Sequence, residues 1–265
     1  MKPLLPRVVF IVFVGLVLAY LMLPLLIIVP MSFSGTRFLT FPPPSLSLRW
    51  YQEFFGNRAW VQATQVSFGV AALTVLIATP LGVAAAYAIV NAQHRMMRLI
   101  HAVLMLPLIV PIIILAIGVF FVYAKLGLVA TIPGLVLANV MLALPYVITS
   151  VVAGLQSFDH TQEMVARSLG MNRLRGFLAV TLPQIKASVF AGAIFAFISA
   201  IDETIVALFI SGGQYQTLTK RMFTALRDEI DPTIAAISTL LTAASFLLVL
   251  MAMRGRAGSA EGDGR

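Results

Sequence analysis

Cysteine is absent from this 265-residue chain, which excludes disulfides, thiol nucleophiles and thiolate metal sites. Charge is scarce too: 11% of residues are Asp, Glu, Lys or Arg, against about a quarter in a soluble domain. The three histidines, His94, His101 and His160, are not spaced as metal ligands on one helix. No Gly-x-x-x-x-Gly-Lys-Ser/Thr stretch occurs, so the chain carries no phosphate loop for ATP. An intramembrane protease is disfavoured by the same scarcity: only one apolar run carries acids, and no histidine lies mid-run.

What the chain has instead is apolar length. Hydrophobic residues make up 60% of it. A membrane helix needs about 20 mostly apolar residues, and six runs qualify: 8–30, 61–90, 99–123, 134–154, 187–210 and 232–253. The first is too long for a signal-peptide core of about 7–15 residues, and Met31-Ser32-Phe33-Ser34 is a poor cleavage site. It is expected to be a retained anchor. Pro24, Pro80, Pro107, Pro111 and Pro145 predict kinks. Gly82, Ala84, Ala85 and Ala86, and Ala191, Gly192 and Ala193, suit close helix contact.

The net charge of +8 serves orientation rather than nucleic-acid binding. Lys2, Arg7, Arg95, Arg98, Arg167, Arg173, Arg175, Lys186, Arg254, Arg256 and Arg265 fall on one side of six spans. Arg37, Arg49, Arg58, Lys125, Lys220, Arg221 and Arg227 fall on the other. The richer side is expected to be cytoplasmic, with both termini on it. Residues 1–254 then form one membrane domain, and residues 255–265 a small, polar, disordered tail. In the first outer loop, Phe41-Pro42-Pro43-Pro44 is stiff, and Trp50, Tyr51, Phe54 and Phe55 predict a short interfacial helix. The outer stretch 211–231 is rich in mixed charge and is either a solvated loop or a contact for a delivering protein.

Residues 163–183 stand apart. They are polar, basic and helix-forming, yet lie between two apolar runs. Asp159 or Thr161 is placed to cap a helix start, Glu163 sits in its first turn, and Gly170 suits its end. Asn172 restarts a second helix expected to end before Leu182-Pro183. The pair presents Met164, Val165, Leu169 and Phe177 on one apolar face. By chemistry alone it is either an interfacial pair packed on its own spans or a docking element for a partner.

Gly170, nine intervening residues and Val180-x-Leu182-Pro183 resemble the loop motif of permease subunits of binding-protein-dependent ABC importers. The resemblance extends over the six runs. It implies an all-α membrane protein with the type I importer permease fold, in which loop 155–186 holds a cytoplasmic coupling helix seated in a groove of an ATPase subunit. Carried over onto this chain, the coupling residues are Glu163, Met164, Ala166, Arg167, Gly170 and Pro183. Met164 and Val165 depart from the usual Glu-Ala-Ala core, which implies a more apolar contact.

The run 187–210 contains Ser199, Asp202 and Glu203, which share one helical face. Intramembrane carboxylates cost about 2.5–3.5 kcal/mol each and usually face a cavity or a partner. A cation from a partner chain, protonation, capping of a broken helix, or a cationic substrate would each account for them. The element, with Phe209, Ser211 and Gly212-Gly213, resembles one in the polyamine-type branch of these permeases. Phe195, Phe197 and Phe209 add aromatic faces for an ammonium group. The expected substrate pathway is Asp202, Glu203, Ser199, Phe195 and Phe209, with a structural pair or a gate contact as the alternative role of the two acids.

The resemblance implies a non-enzymatic permease in a bacterial inner membrane, moving a polyamine such as spermidine or putrescine. Another amine-bearing solute or an aminophosphonate is the alternative, and a stand-alone secondary carrier a more distant one. The partners implied are a second permease, two ATPase subunits that hold ATP and Mg, and a soluble binding protein. No cofactor or metal is expected in this chain.

Overall fold

A chain with no water around its backbone must satisfy its peptide groups internally, and a helix does so within one segment. The computed structural model describes residues 4–38, 40–92, 94–228 and 231–261. Among these, the extended elements are two isolated bridges, Ser34 with Leu46 and Gly212 with Tyr215, and all else regular is helical. In chain order the helices are α1 (Leu4–Ser32), α2 (Arg49–Gly56), α3 (Arg58–Asn91), α4 (Arg95–Ile109), α5 (Ile112–Leu126), α6 (Ile132–Gln156), α7 (Thr161–Ser168) and α8 (Arg173–Gly176). A π turn, Phe177–Thr181, joins α8 to α9 (Leu182–Gln184). Then follow α10 (Lys186–Asp202), α11 (Ile205–Ile210), α12 (Leu218–Asp228) and α13 (Thr233–Glu261).

The chain divides into two units, one drawn from its two ends and one from residues 62–223. In the first, α1 packs on α13 and α13 on α2. The short helix α2 is the one expected from its aromatic spacing: Trp50 and Phe54 are buried, and Phe55 is exposed. In the second, α10 lies along α6, α4 also packs on α6, and α11 packs on α5. Its core is made by α6 residues such as Leu135, Ala143, Val147 and Val151 with Val70, Ala78 and Ala86 of α3. Gly82 and Gly192 let two helices approach the same residue, Val147: a Cβ on Gly82 would stand 2.5 Å from its Cγ1, and one on Gly192 3.1 Å from its Cα.

Three helices, Val9–Ser32, Arg58–Asn91 and Ile132–Gln156, are each long and apolar enough to cross a membrane. The third expected run, 99–123, is not one helix: α4 and α5 meet at 105°. Pro111 donates no hydrogen bond and pushes Val110 into an extended conformation (φ −73°, ψ 133°). Elsewhere the helices continue through Pro24, Pro80, Pro107 and Pro145. The fifth run, 187–210, is also broken. Glu203 leaves helical geometry (φ −66°, ψ 112°), and α11 starts afresh.

Three further expectations are corrected. The second polar helix does not end before Leu182-Pro183. It widens into the π turn and reaches Gln184, with the Leu182 N–H bonding five residues back to Phe177 O. The stretch 211–231, expected as an outer loop, holds a regular helix, α12, because Leu218, Met222 and Ala225 recur at helical spacing. Finally, α13 continues past residue 254 to Glu261, within the stretch 255–265 expected to be a tail, of which residues 262–265 lie outside the described residues.

Candidate functional site: a carboxylate cleft and an inward-facing glutamate

The breaks in the fourth-to-fifth and tenth-to-eleventh helices open a cleft of about 390 Å³ within the second unit. One wall comes from α10, where Phe195, Ser199 and Asp202 recur at helical spacing and all line it. Pro107 and Leu108 of α4, Ile112 of α5, and Leu142 and Tyr146 of α6 line it too. The cleft thus combines apolar walls, one aromatic phenol, the hydroxyl residues Ser199 and Thr204, and two adjacent acids.

The two acids differ. Glu203 is buried, 9% exposed, and its carboxylate folds onto the start of α11. Oε1 accepts the Val206 N–H at 2.8 Å, and Oε2 accepts the Ala207 N–H at 2.9 Å. It satisfies donors that the first turn of any helix leaves without intrahelical partners. Thr219 Oγ1 donates to the Glu203 carbonyl at 3.0 Å, and Lys220 Nζ donates to Leu208 O at 3.1 Å and to Ser211 O. The beginning of α12 therefore holds α11 at both ends. Asp202, one residue earlier, is exposed in the cleft. Of the expected pathway residues, Asp202, Glu203, Ser199 and Phe195 are brought together. Phe209 is not: it packs against the apolar core, one helical turn, about 6 Å, beyond Ile205.

The polar segment forms the second candidate site. Asp159 Oδ1 accepts the Thr161 N–H at 2.9 Å at the start of α7, and this bond with the Thr161 side chain holds its carboxyl below the usual range. Gly170, at φ +96°, ends the helix in the left-handed region, and the Met171 N–H returns to Ala166 O. Asn172 Oδ1 caps α8 through the Arg175 N–H at 2.8 Å.

On α7, Glu163 and Ala166 are buried, while Met164, Val165 and Arg167 are exposed. Glu163 Oε1 accepts from Tyr87 Oη at 2.5 Å, and Oε2 accepts from Thr181 Oγ1 at 2.7 Å. Arg173 lies over the Tyr87 ring at 5.2 Å and donates from Nε to Tyr87 Oη at 3.4 Å. The Tyr87 and Phe177 rings are 4.6 Å apart. Glu163, expected among residues that touch an ATPase, is turned into its own chain. Pro183 is exposed just after the π turn. The outward surface of the segment carries four large apolar side chains, Met164 (57% exposed), Val165, Leu169 (81% exposed) and Leu174, among Gln162, Arg167 and Arg175.

Sequence reasoning missed Tyr87, Tyr146 and Thr181. The two tyrosines were legible in principle, as phenols within long apolar runs whose hydroxyls need partners. Thr181 carried no comparable signal.

Residues 78–256 match the family described as binding-protein-dependent transport system inner membrane component. The spermidine/putrescine transport system permease protein PotC of Haemophilus influenzae is 28% identical over 240 residues, 90% of this chain and 93% of that protein. The putrescine transport system permease protein PotI of Escherichia coli is 28% identical over 232 residues, 85% and 82% of the two chains. The molybdate/tungstate transport system permease protein WtpB of Pyrococcus abyssi is 25% identical over 73% of each. Among solved structures, a bacterial ABC transporter involved in import of the acidic polysaccharide alginate superposes with a TM-score of 0.74. It covers 94% of this chain and 96% of its own at 15% identity, which is a likeness of fold.

Proposed function

Because the chain belongs to the family of binding-protein-dependent transport system inner membrane components, we propose that it is a permease subunit importing a small organic cation, a polyamine such as spermidine or putrescine. The observation that carries the substrate class is the cleft with an exposed Asp202 beside Tyr146 and Phe195. A carboxylate facing apolar and aromatic walls attracts an ammonium group and accommodates its methylene chain. The WtpB relative raises an oxyanion as a second reading, but a carboxylate in the cleft repels one. An aminophosphonate would meet the same repulsion at one end. A stand-alone carrier would leave the exposed apolar face of α7 without a purpose.

In this reading the six runs cross the membrane as a single domain, two of them as bent pairs, with both termini in the cytoplasm. A second permease completes the pathway, and a soluble binding protein delivers substrate outside. Two ATPase subunits, which hold ATP and Mg, dock on α7 through Met164, Val165, Arg167 and Leu169. Gly170 and Pro183 shape that element, and Glu163 and Ala166 fix it from within. Glu203 supports the cleft and Asp202 meets the substrate, with Ser199 and Phe195 beside it.

The test is uptake of labelled spermidine and putrescine by cells carrying the whole transporter, wild type against Asp202→Asn. Loss of a charged hydrogen bond of about 1.5–3 kcal/mol lowers uptake about tenfold or more, with subunit assembly intact. No uptake by the wild type overturns the polyamine assignment. Full uptake by Asp202→Asn overturns the role of Asp202.

A further inference from the structure

We propose that Glu163 is a positioning residue, the joint of an internal strut that transmits displacement of α7 to the body of the permease. The inference rests on the reading of α7 as the element on which an ATPase docks. Three observations carry it.

First, Glu163 faces inward. It is 5% exposed, while its neighbours Met164 and Val165 are outside. Second, its two oxygens are divided between two elements. Oε1 takes the phenol of Tyr87, close to the end of α3, and Oε2 takes the hydroxyl of Thr181 in the π turn that leads through α9 into α10. One side chain thus ties α7 to α3 and to the start of the helix that displays Asp202. Third, the joint is braced. Arg173 of α8 lies over the Tyr87 ring and donates to its oxygen, and the Phe177 ring stands 4.6 Å from it, tilted by 58°. The π turn is also a rare local geometry, frequent at functional sites, and here it carries the strut hydroxyl.

A strut makes a prediction that a direct contact with an ATPase cation does not. Glutamine at position 163 retains an oxygen for the Tyr87 phenol and offers an N–H to the Thr181 oxygen, so the strut survives without charge. A cation contact would be lost.

The experiment uses the assembled transporter with its binding protein in proteoliposomes, reading both ATP hydrolysed and labelled spermidine imported. Glu163→Ala and Tyr87→Phe are expected to lower import per ATP about fivefold or more while hydrolysis persists. Glu163→Gln is expected to restore most of the ratio lost in Glu163→Ala. A role in folding alone would lower hydrolysis and import together and leave the ratio unchanged. Met164→Asp tests the underlying reading, because it places a charge on the outward apolar face and is expected to release the ATPase on copurification.

If Met164→Asp keeps the ATPase bound with full import, the docking reading of α7 fails. If it releases the ATPase but Tyr87→Phe and Glu163→Ala keep the wild-type ratio, the strut alone fails. If Glu163→Gln is as uncoupled as Glu163→Ala, the carboxylate charge is what matters and the strut is overturned.

Discussion

Glu203→Ala separates two adjacent acids by their energetics. Glu203 is buried and accepts the N–H groups of Val206 and Ala207 at 2.8 and 2.9 Å. Truncation leaves two buried donors unpaired, at about 1–3 kcal/mol each, or about 2–6 kcal/mol together. Asp202→Ala removes a side chain exposed in the cleft, so its cost falls within about 0.5 kcal/mol. Glu203→Gln keeps one acceptor and turns an amide donor towards the second N–H, giving about half the loss. The assay is the thermal midpoint at which the detergent-solubilised transporter loses its monodisperse peak. The expected order of stability is Asp202→Ala, then Glu203→Gln, then Glu203→Ala. Equal midpoints for Glu203→Ala and Asp202→Ala would refute the cap.

Three further outcomes follow from local geometry. Gly82→Ala drives a methyl into Val147 and is expected to cost about 1–3 kcal/mol, with partial recovery in the Gly82→Ala, Val147→Ala double variant by the same thermal assay. Gly170→Ala forces a Cβ into the left-handed region at φ +96°, at about 1–2 kcal/mol, and should raise amide exchange in residues 166–171. The Asp159 carboxyl is held below its ordinary value by its bonds to Thr161, so its contribution to the start of α7 is present above the unfolded value of about 3.9 and lost as pH falls through the folded one. Protection of the Thr161 amide should therefore be unchanged between pH 8 and 5. It should fall below about pH 4, a fall absent in Asp159→Ala.

Helix existence was legible in the sequence because apolar length alone dictates it, and the helix end at Gly170 and the cap at Asn172 were legible because each acts on its neighbours in the chain; at the start of α7 Asp159 does bond Thr161, but the N-cap position is His160. Helix continuity was not. Five prolines carried the same warning, yet the break fell at Pro111, and a second break fell at Glu203 with no proline near it. Whether a helix survives depends on what satisfies the freed backbone groups, which is a matter of tertiary neighbours. The cleft was half legible. The spacing of Phe195, Ser199 and Asp202 places them on one wall, but the opposing Pro107, Ile112 and Tyr146 lie 49 residues or more away in the chain. Glu163 was recognised from its motif and its direction was not, because burial is decided by Tyr87 and Thr181, 76 and 18 residues distant.

The cleft and the two helix breaks are one phenomenon. Pro107, Leu108 and Ile112 flank the bend between α4 and α5, and Asp202 to Ile205 flank the break between α10 and α11, and both groups line the same space. Irregular backbone at membrane depth persists only where protein or a polar cavity receives its unpaired groups. Glu203 answers that demand on one side by folding back onto α11. In doing so it turns the chain between itself and Asp202. In an unbroken helix the two carboxylates would lie about 100° apart at equal depth, each needing a partner. With the break, one is spent on the backbone and the other is displayed to the cleft. The same dipeptide builds the site and supplies its charge, so Glu203→Leu, which takes the acceptors away from the Val206 and Ala207 N–H groups, should destabilise the cleft wall and lower uptake even though Asp202 remains.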